Sequence, residues 1–555
     1  MRFKNNIFNL AHEIQRTASQ HPDRVALMEP YKKSGQWHFR RFTYAQLAAD
    51  TQRAITGLRA QGIHEKTRTV YMAPPSYQAC VVSAAISAVG ATQLLIDPSV
   101  GYLNVAERLS KIKPEAFIGI PASLAGRLLF GWGPRFGQKL ICLDGFFPGA
   151  TSFKQLLAHD PAPDTDPNVT PDDPAVVLYT TGSTGPAKPA MYLHRNFCQT
   201  FRTAHYSWRV HTSDTPPVDM AAFPAFHMIA IAAGGTTVVP PISFVTATPA
   251  TTDPKPVCEV INAAGVRSLF ASPALLERIA NYALEHNMTL PTLERVIGGG
   301  APVFKPLVET FLRVMPEHGE VWANYGATEA LPSTEHGSTE FLAETAEKTA
   351  NGHGICVGVP FPDITVQAVG PIDHDSTQRE DFHQMPVGET GELIVQGPNI
   401  SPAYFNDPES TRKNKLYDAD GRVWHRLGDV GHIDDKGRVW VEGRTSQCLT
   451  IDGERIPPIP IEAIFDQHPM VRRSGLVERR NAQNQKEAVI CVEPWEKLST
   501  EEQRALRQAL QRIADAHPKC AVVSHILFSP GLPIDPRHNA KIERPRLAQW
   551  AQKQR

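Results

Sequence analysis

The sequence predicts an α/β protein: a large N-terminal domain of parallel sheets and helices, followed by a small, mobile α+β domain. Three observations predict it. Helical and strand patterns alternate between residues 43 and 120, as they do where parallel strands alternate with crossover helices on both sheet faces. An apolar run, Ala175–Tyr179, leads straight into a loop of Gly, Thr and Ser. After about Gly443 the pattern restarts as a shorter mixed unit. A chain of 555 residues exceeds what one compact core supports, so at least two domains are expected. Their expected extents are 1–443 and 444–555.

The first helix of the alternating region opens at Thr43, with Gln46 at capping-box spacing. Leu47, Thr51, Ala54, Ile55 and Leu58 then share one helical face, and Gly62 stands where a helix stops. Thr69–Met72 reads as a strand, Tyr77–Val89 as a buried helix, and Thr92–Ile96 and Ala116–Ile120 as two more strands. Residues 160–174, rich in Pro and Asp, read as a surface connector into the strand Ala175–Tyr179. Residues 333–351 are polar and poorly periodic, which predicts a mobile segment. No internal repeat or low-complexity tract stands out.

Composition narrows the class. Hydrophobic residues make up 42% and charged residues 20% of the chain, ordinary for a globular protein. With Lys+Arg at 56 and Asp+Glu at 57, there is no electrostatic basis for nucleic-acid binding. The eight cysteines lie singly. Without a C-x-x-C pair they predict neither a zinc site nor a disulfide framework, but small buried hydrophobes. The N-terminus lacks a signal-peptide apolar region, and no run of about 18 apolar residues suits a spanning helix. A reducing cytoplasm is the expected location.

The segment with the clearest chemistry is Tyr179-Thr-Thr-Gly-Ser-Thr-Gly-Pro-Ala-Lys188. Glycines let a backbone approach phosphate oxygens and adopt positive φ. Successive N–H groups, with the hydroxyls of Thr180, Thr181, Ser183 and Thr184, can surround an anion, and Lys188 adds a point charge. The spacing differs from the Walker A loop, so a P-loop NTPase is not indicated. Taken alone, the segment could also be a polar surface turn.

This loop resembles the signature of the acyl-adenylate-forming superfamily, which includes acyl-CoA synthetases, peptide-synthetase adenylation domains and luciferases. Pro189 stands where that family usually has Gly. Further stations follow in family order: Phe223-Pro-Ala-Phe-His227, Gly298-Gly-Gly-Ala-Pro302, Tyr325-Gly-Ala-Thr-Glu329, His425-Arg-Leu-Gly-Asp429, Gly443-Arg444 and Asn539-Ala-Lys541. The resemblance spans essentially the whole chain and implies a set of roles.

Thr180, Thr181, Gly182, Ser183, Thr184, Gly185 and Lys188 would hold the phosphates of ATP. Gly300, Ala301 and Pro302, with Tyr325, Gly326, Ala327 and Thr328, would hold adenine. Asp429 would take the ribose hydroxyls, as a carboxylate suits a vicinal diol, and Arg444 would open the hinge. Glu329 and Thr184 would hold magnesium. His227 would line or gate the acyl tunnel, and Lys541 would act in adenylation. Without the family, Asp429 and Lys541 are ordinary surface residues, Tyr325 is core packing, Glu329 a solvated helix start and His227 a core histidine. Many relatives carry an acidic residue two positions after the hinge arginine, where this chain has Ser446.

Three details narrow the resemblance: Glu115-Ala-Phe-Ile-Gly-Ile-Pro121, the continuation Tyr325–Pro332, and Asp535-Pro-Arg-His-Asn-Ala-Lys541. Together they resemble the olefin-pathway β-lactone synthetases. That branch implies adenylation of a 3-hydroxy fatty acid and closure to a β-lactone, releasing AMP and pyrophosphate. It also implies an assembly with other olefin-pathway enzymes. The alternative enzyme is a medium- or long-chain acyl-CoA synthetase, with CoA as acceptor. The alternative of another class is a non-catalytic acyl-nucleotide-binding scaffold, against which Lys188, Glu329, Asp429 and Lys541 argue.

Overall fold

The computed structural model describes residues 8–96, 101–133, 138–162, 168–179, 187–207, 217–370, 376–534 and 542–554. The capping box is present: Thr43 and Gln46 bond each other's backbone N–H and start the helix Tyr44–Ala60. Gly62 follows that helix with φ +71°, a conformation that favours glycine. The helix Tyr77–Ala88 is buried on every side. Its sequence therefore shows an unbroken run of small and apolar residues instead of one apolar stripe.

Among the described residues the N-terminal part holds two large sheets. One has eight strands, and its centre runs Pro174–Tyr179, Thr92–Leu95, Arg68–Met72, Ala116–Gly119 and Lys139–Cys142. These five are mutually parallel. Their near-continuous apolar runs are those of strands covered on both faces. At one edge Pro189–Leu193 pairs antiparallel with Pro174–Tyr179, and Ala403–Tyr404 pairs with Pro189–Leu193.

The other sheet carries a parallel block, Val218–Ala221, Ser268–Ala271, Arg295–Gly299 and Glu320–Ala327. Beyond it the pairing turns antiparallel through Ala330–Gly337 and Ile355–Pro360 to Val439–Arg444 and Val423–Ile433.

The segment 333–351 departs from its predicted mobility. Ser333, Thr334, Glu335 and His336 belong to the strand Ala330–Gly337 and are buried. Residues 338–350 continue as helix with one wide turn at Phe341–Thr345. Polar side chains survive burial here because they find partners. Ser333 Oγ donates to Ala330 O at 3.0 Å, and His336 Nε2 lies 2.7 Å from Thr345 Oγ1. The buried Arg438 guanidinium binds Glu340, Glu344 and Asp434 at 2.6–3.0 Å. A strand covered on both faces need not alternate, so its sequence shows no period.

Residues after Arg444 include a three-stranded sheet, Val471–Arg480, Lys486–Pro494 and Val523–Phe528. It packs against Pro458–Phe465 and Thr500–Ala516 around an apolar core that includes Ile461, Phe465, Leu476, Ile490, Leu506 and Leu510. The helix Pro458–Phe465 packs on Val439–Arg444 and Ala346–Ala350 of the N-terminal part, and polar contacts join it. Lys519 Nζ donates to Gly352 O at 2.6 Å. Gly443 faces Pro458 so closely that a Cβ would lie 2.7 Å from Pro458 Cδ. All eight cysteines are unpaired; seven are buried and Cys448 is half-buried, its Sγ 3.4 Å from Arg444 O. No helix among the described residues is long and apolar enough to cross a membrane.

Candidate active site

The strands of the parallel block end side by side, and open α/β sheets bind ligands beyond such carboxyl ends. Phe223–His227 follows the strand Val218–Ala221, and Gly300–Pro302 follows Arg295–Gly299. Tyr325–Ala327 ends the strand Glu320–Ala327, with Thr328 and Glu329 in the turn that follows. Gly300 adopts φ +84°. A Cβ on Gly299 would touch the Phe270 ring at 3.0 Å, and one on Gly300 would reach Phe223 at 4.0 Å. Phe223, Phe226 and Phe270 pack with ring centroids 5.0–5.9 Å apart. The glycine turn thus lies against an aromatic wall, with Ala301 and Pro302 half-buried beside it.

Gly326 sits where the chain doubles back: a Cβ there would lie 2.3 Å from Ala330 O. Only glycine tolerates that approach, and it brings Glu329 close behind Tyr325. The Tyr325 hydroxyl donates to Asp429 Oδ2 at 2.6 Å, and Arg444 Nη1 donates to Asp429 Oδ1 at 2.9 Å. Asp429 and Arg444 stand opposite each other on neighbouring strands. Burial, then the Asp429 charge, holds the Tyr325 hydroxyl well above its ordinary value, so it stays protonated. Burial opposes the Arg444 charge, but Asp429 beside it holds the guanidinium above its ordinary value.

Glu329 forms a second cluster. Its buried carboxylate accepts the Tyr404 hydroxyl on Oε1. His425 Nε2 lies 3.7 Å from Oε2. Burial, and then Lys415, hold His425 well below its ordinary value, so that ring is neutral and gives no ion pair. His425 Nδ1 sits 3.1 Å from Asn414 O. Lys188 Nζ donates to Asn414 Oδ1 at 3.2 Å and lies 5.6 Å from the Tyr404 ring centroid. Ala327 pairs with Ala330 across the turn, and Thr328 O accepts the Tyr192 hydroxyl at 2.7 Å.

His227 is buried. Its Nδ1 contacts Pro224 O, which as an acceptor requires the proton on Nδ1 and leaves Nε2 bare. Nε2 has no hydrogen-bond partner among the described residues, and burial pushes the ring down to about 4. Thr180, Thr181, Gly182, Ser183, Thr184, Gly185 and Lys541 lie outside the described residues. Tyr404, Asn414, Lys415 and the contact from His425 to Glu329 went unpredicted. Tyr404 and Lys415 sit in ordinary sequence, and only the fold carries them to Glu329.

The residues fit a nucleotide and a magnesium ion. Aromatic groups and a positive-φ glycine turn face the ends of the parallel strands. Asp429 accepts one donor on each oxygen, leaving lone pairs for a diol. Glu329 is a buried carboxylate with no cation within 4.0 Å among the described residues, a hard oxygen donor suited to magnesium beside phosphates.

A parallel sheet with these groups at its carboxyl ends, joined to a small α+β unit, fits the adenylate-forming enzyme that the sequence motifs imply. The chain belongs to the AMP-binding enzyme family, which matches residues 14–405. It is 32% identical to an olefin β-lactone synthetase of Xanthomonas campestris pv. campestris, across 99% of this chain and 98% of that protein. It is 33% identical to an olefin β-lactone synthetase of Stenotrophomonas maltophilia, across 98% of each. The fold matches the amide bond synthetase McbA of Marinactinospora thermotolerans with a TM-score of 0.75 at 20% identity, covering 98% of this chain and 99% of that one.

Proposed function

We propose that the enzyme adenylates a 3-hydroxy fatty acid and closes the product to a β-lactone. The carboxylate oxygen attacks the α-phosphorus of ATP, the bond to the bridging oxygen breaks, and pyrophosphate leaves with the electron pair. Asp429 binds the ribose, Tyr325 and the Gly300–Pro302 turn bind adenine, and the 180–188 loop binds the phosphates. Lys541 offsets the charge that builds on the leaving oxygen, a preorganised interaction that acts most strongly in the transition state. Magnesium, held by Glu329 and Thr184, would neutralise phosphate charge. No protein nucleophile is needed, because positioning and electrostatics suffice. The unit 444–555 turns between the two steps.

In the second step the 3-hydroxyl oxygen bonds to the acyl carbon, the acyl–phosphate bond breaks, AMP departs and the hydroxyl proton is released. An alcohol in the same molecule has an effective concentration on the order of 10⁵ M when well oriented, so no second substrate is required. End-to-end similarity to two olefin β-lactone synthetases carries the lactone reading. The test is mass spectrometry of products from a 3-hydroxy fatty acid, with and without CoA. Lactone and AMP should form without CoA, and CoA should not accelerate turnover. Stoichiometric CoA consumption with thioester accumulation makes the enzyme an acyl-CoA synthetase instead. Absence of pyrophosphate at every chain length makes it a scaffold.

A further inference from the structure

Lys415 is fully buried and forms no ion pair among the described residues. Its ammonium donates to Ser401 O at 2.5 Å and lies 5.6 Å from the centroid of the Tyr404 ring. Burying a lysine is costly, and an apolar side chain of similar volume is often as stable or more so. Its placement therefore calls for a role other than packing. The helix Pro408–Asn414 delivers it into the strand Lys415–Tyr417, where it pairs with His425. The groups around it are Tyr404, Ser401, Lys188, neutral His425 and, one layer further, Glu329.

Two routes lead from Lys415 to Glu329. One runs through the Tyr404 ring, whose hydroxyl donates to Glu329 Oε1. The other runs through Ser401, whose carbonyl holds the ammonium while its N–H donates to the Glu329 carbonyl at 2.9 Å. Ser401 Oγ also donates to Met191 O at 2.8 Å, tying this segment to the strand that follows Lys188.

We infer that Lys415 is a positioning residue: it fixes Tyr404 and Ser401 so that Glu329 keeps one carboxylate oxygen bonded and the other available for the metal of the bound nucleotide. The inference rests on the proposed role of Glu329. Lys415 touches neither substrate nor metal, and acts by denying Glu329 its other rotamers.

The test is ATP binding by calorimetry, without acyl substrate, once in EDTA and once with Mg²⁺, with a melting temperature for each variant. The readout is the factor by which Mg²⁺ strengthens ATP binding. Lys415→Met should cut that factor at least tenfold, and Lys415→Arg should recover part of it. Tyr404→Phe, which leaves the lysine in place, should lose a similar factor, and the double variant should lose little more. Equal weakening of binding with and without Mg²⁺ in Lys415→Met overturns the inference, as does a full Mg²⁺ effect in Tyr404→Phe. Glu329→Gln separates the two levels. If it keeps the full Mg²⁺ effect, the reading of Glu329 fails; if it loses the effect while Lys415→Met keeps it, only the role of Lys415 fails.

Discussion

Glu329 sits in the turn that Gly326 makes possible, with Tyr404 on one oxygen and no cation within 4.0 Å among the described residues. Glu329→Gln keeps the shape and removes the charge, and is expected to lower pyrophosphate release by about 10²–10³-fold with little change in melting temperature. Asp429, the proposed ribose ligand, is bonded to both Tyr325 and Arg444. Asp429→Ala is expected to raise KM for ATP about 10- to 100-fold, the range for a lost hydrogen bond to a charged group. KM for the acid should move far less, because ribose contacts belong to the nucleotide. Equal effects on both constants, measured by initial rates, contradict the ribose assignment. Lys541→Ala is expected to cut acyl-AMP formation by about 10²–10³-fold with the fold intact, and near-normal pyrophosphate release removes Lys541 from the mechanism. Tyr325, Glu329 and Asp429 could be singled out in the sequence because each sits in a short motif, and the structure brings Tyr325 and Asp429 into contact. Tyr404 and Lys415 could not, since a sheet edge and a buried ring carry them to Glu329 with no local spacing.

Among elements, those of residues 43–120 were readable where local rules decide the outcome, whereas the parallel block at the site was not. The capping box at Thr43 and the positive-φ stop at Gly62 are written in a few adjacent residues. The strand Ala330–Gly337 was not readable, because its polar residues become acceptable only once Val357, Thr345 and Arg438 have been folded against that region. The strand Val218–Ala221 holds another such residue. Burial pushes the Asp219 carboxyl up to about 7, against the help of the Ser268 hydroxyl bonded to it at 2.5 Å. The unfolded chain releases that proton near 3.8. Between these values the folded state holds more protons than the unfolded one, so stability falls as pH rises from about 4 to about 7. Asp219→Asn lacks this loss. Its melting temperature relative to wild type is expected to improve by several degrees between pH 5 and pH 8, and a constant difference across that range contradicts a protonated Asp219.

For the whole molecule, the proposed turning of residues 444–555 bears on the seam where Gly443 meets Pro458. Gly443 against Pro458 leaves no room for a side chain in this arrangement. Gly443→Val should disfavour it, changing the rates of pyrophosphate and AMP release by different factors. Equal changes in both, followed in one assay, argue against a seam that distinguishes the two half-reactions. The restart of the pattern suggests a division near 444, but the packing of Lys519 on Gly352 was not legible, because these two residues lie far apart in the chain.

The cysteines give that seam a built-in reporter. Seven thiols are out of a reagent's reach in the folded protein, while the half-buried Cys448 lies four residues beyond Arg444. A maleimide dye should attach there faster when the segment loosens its hold on the sulfur. Labelling kinetics in the absence and presence of ATP and acid would then time the proposed hinge opening on the native chain, with no engineered site required.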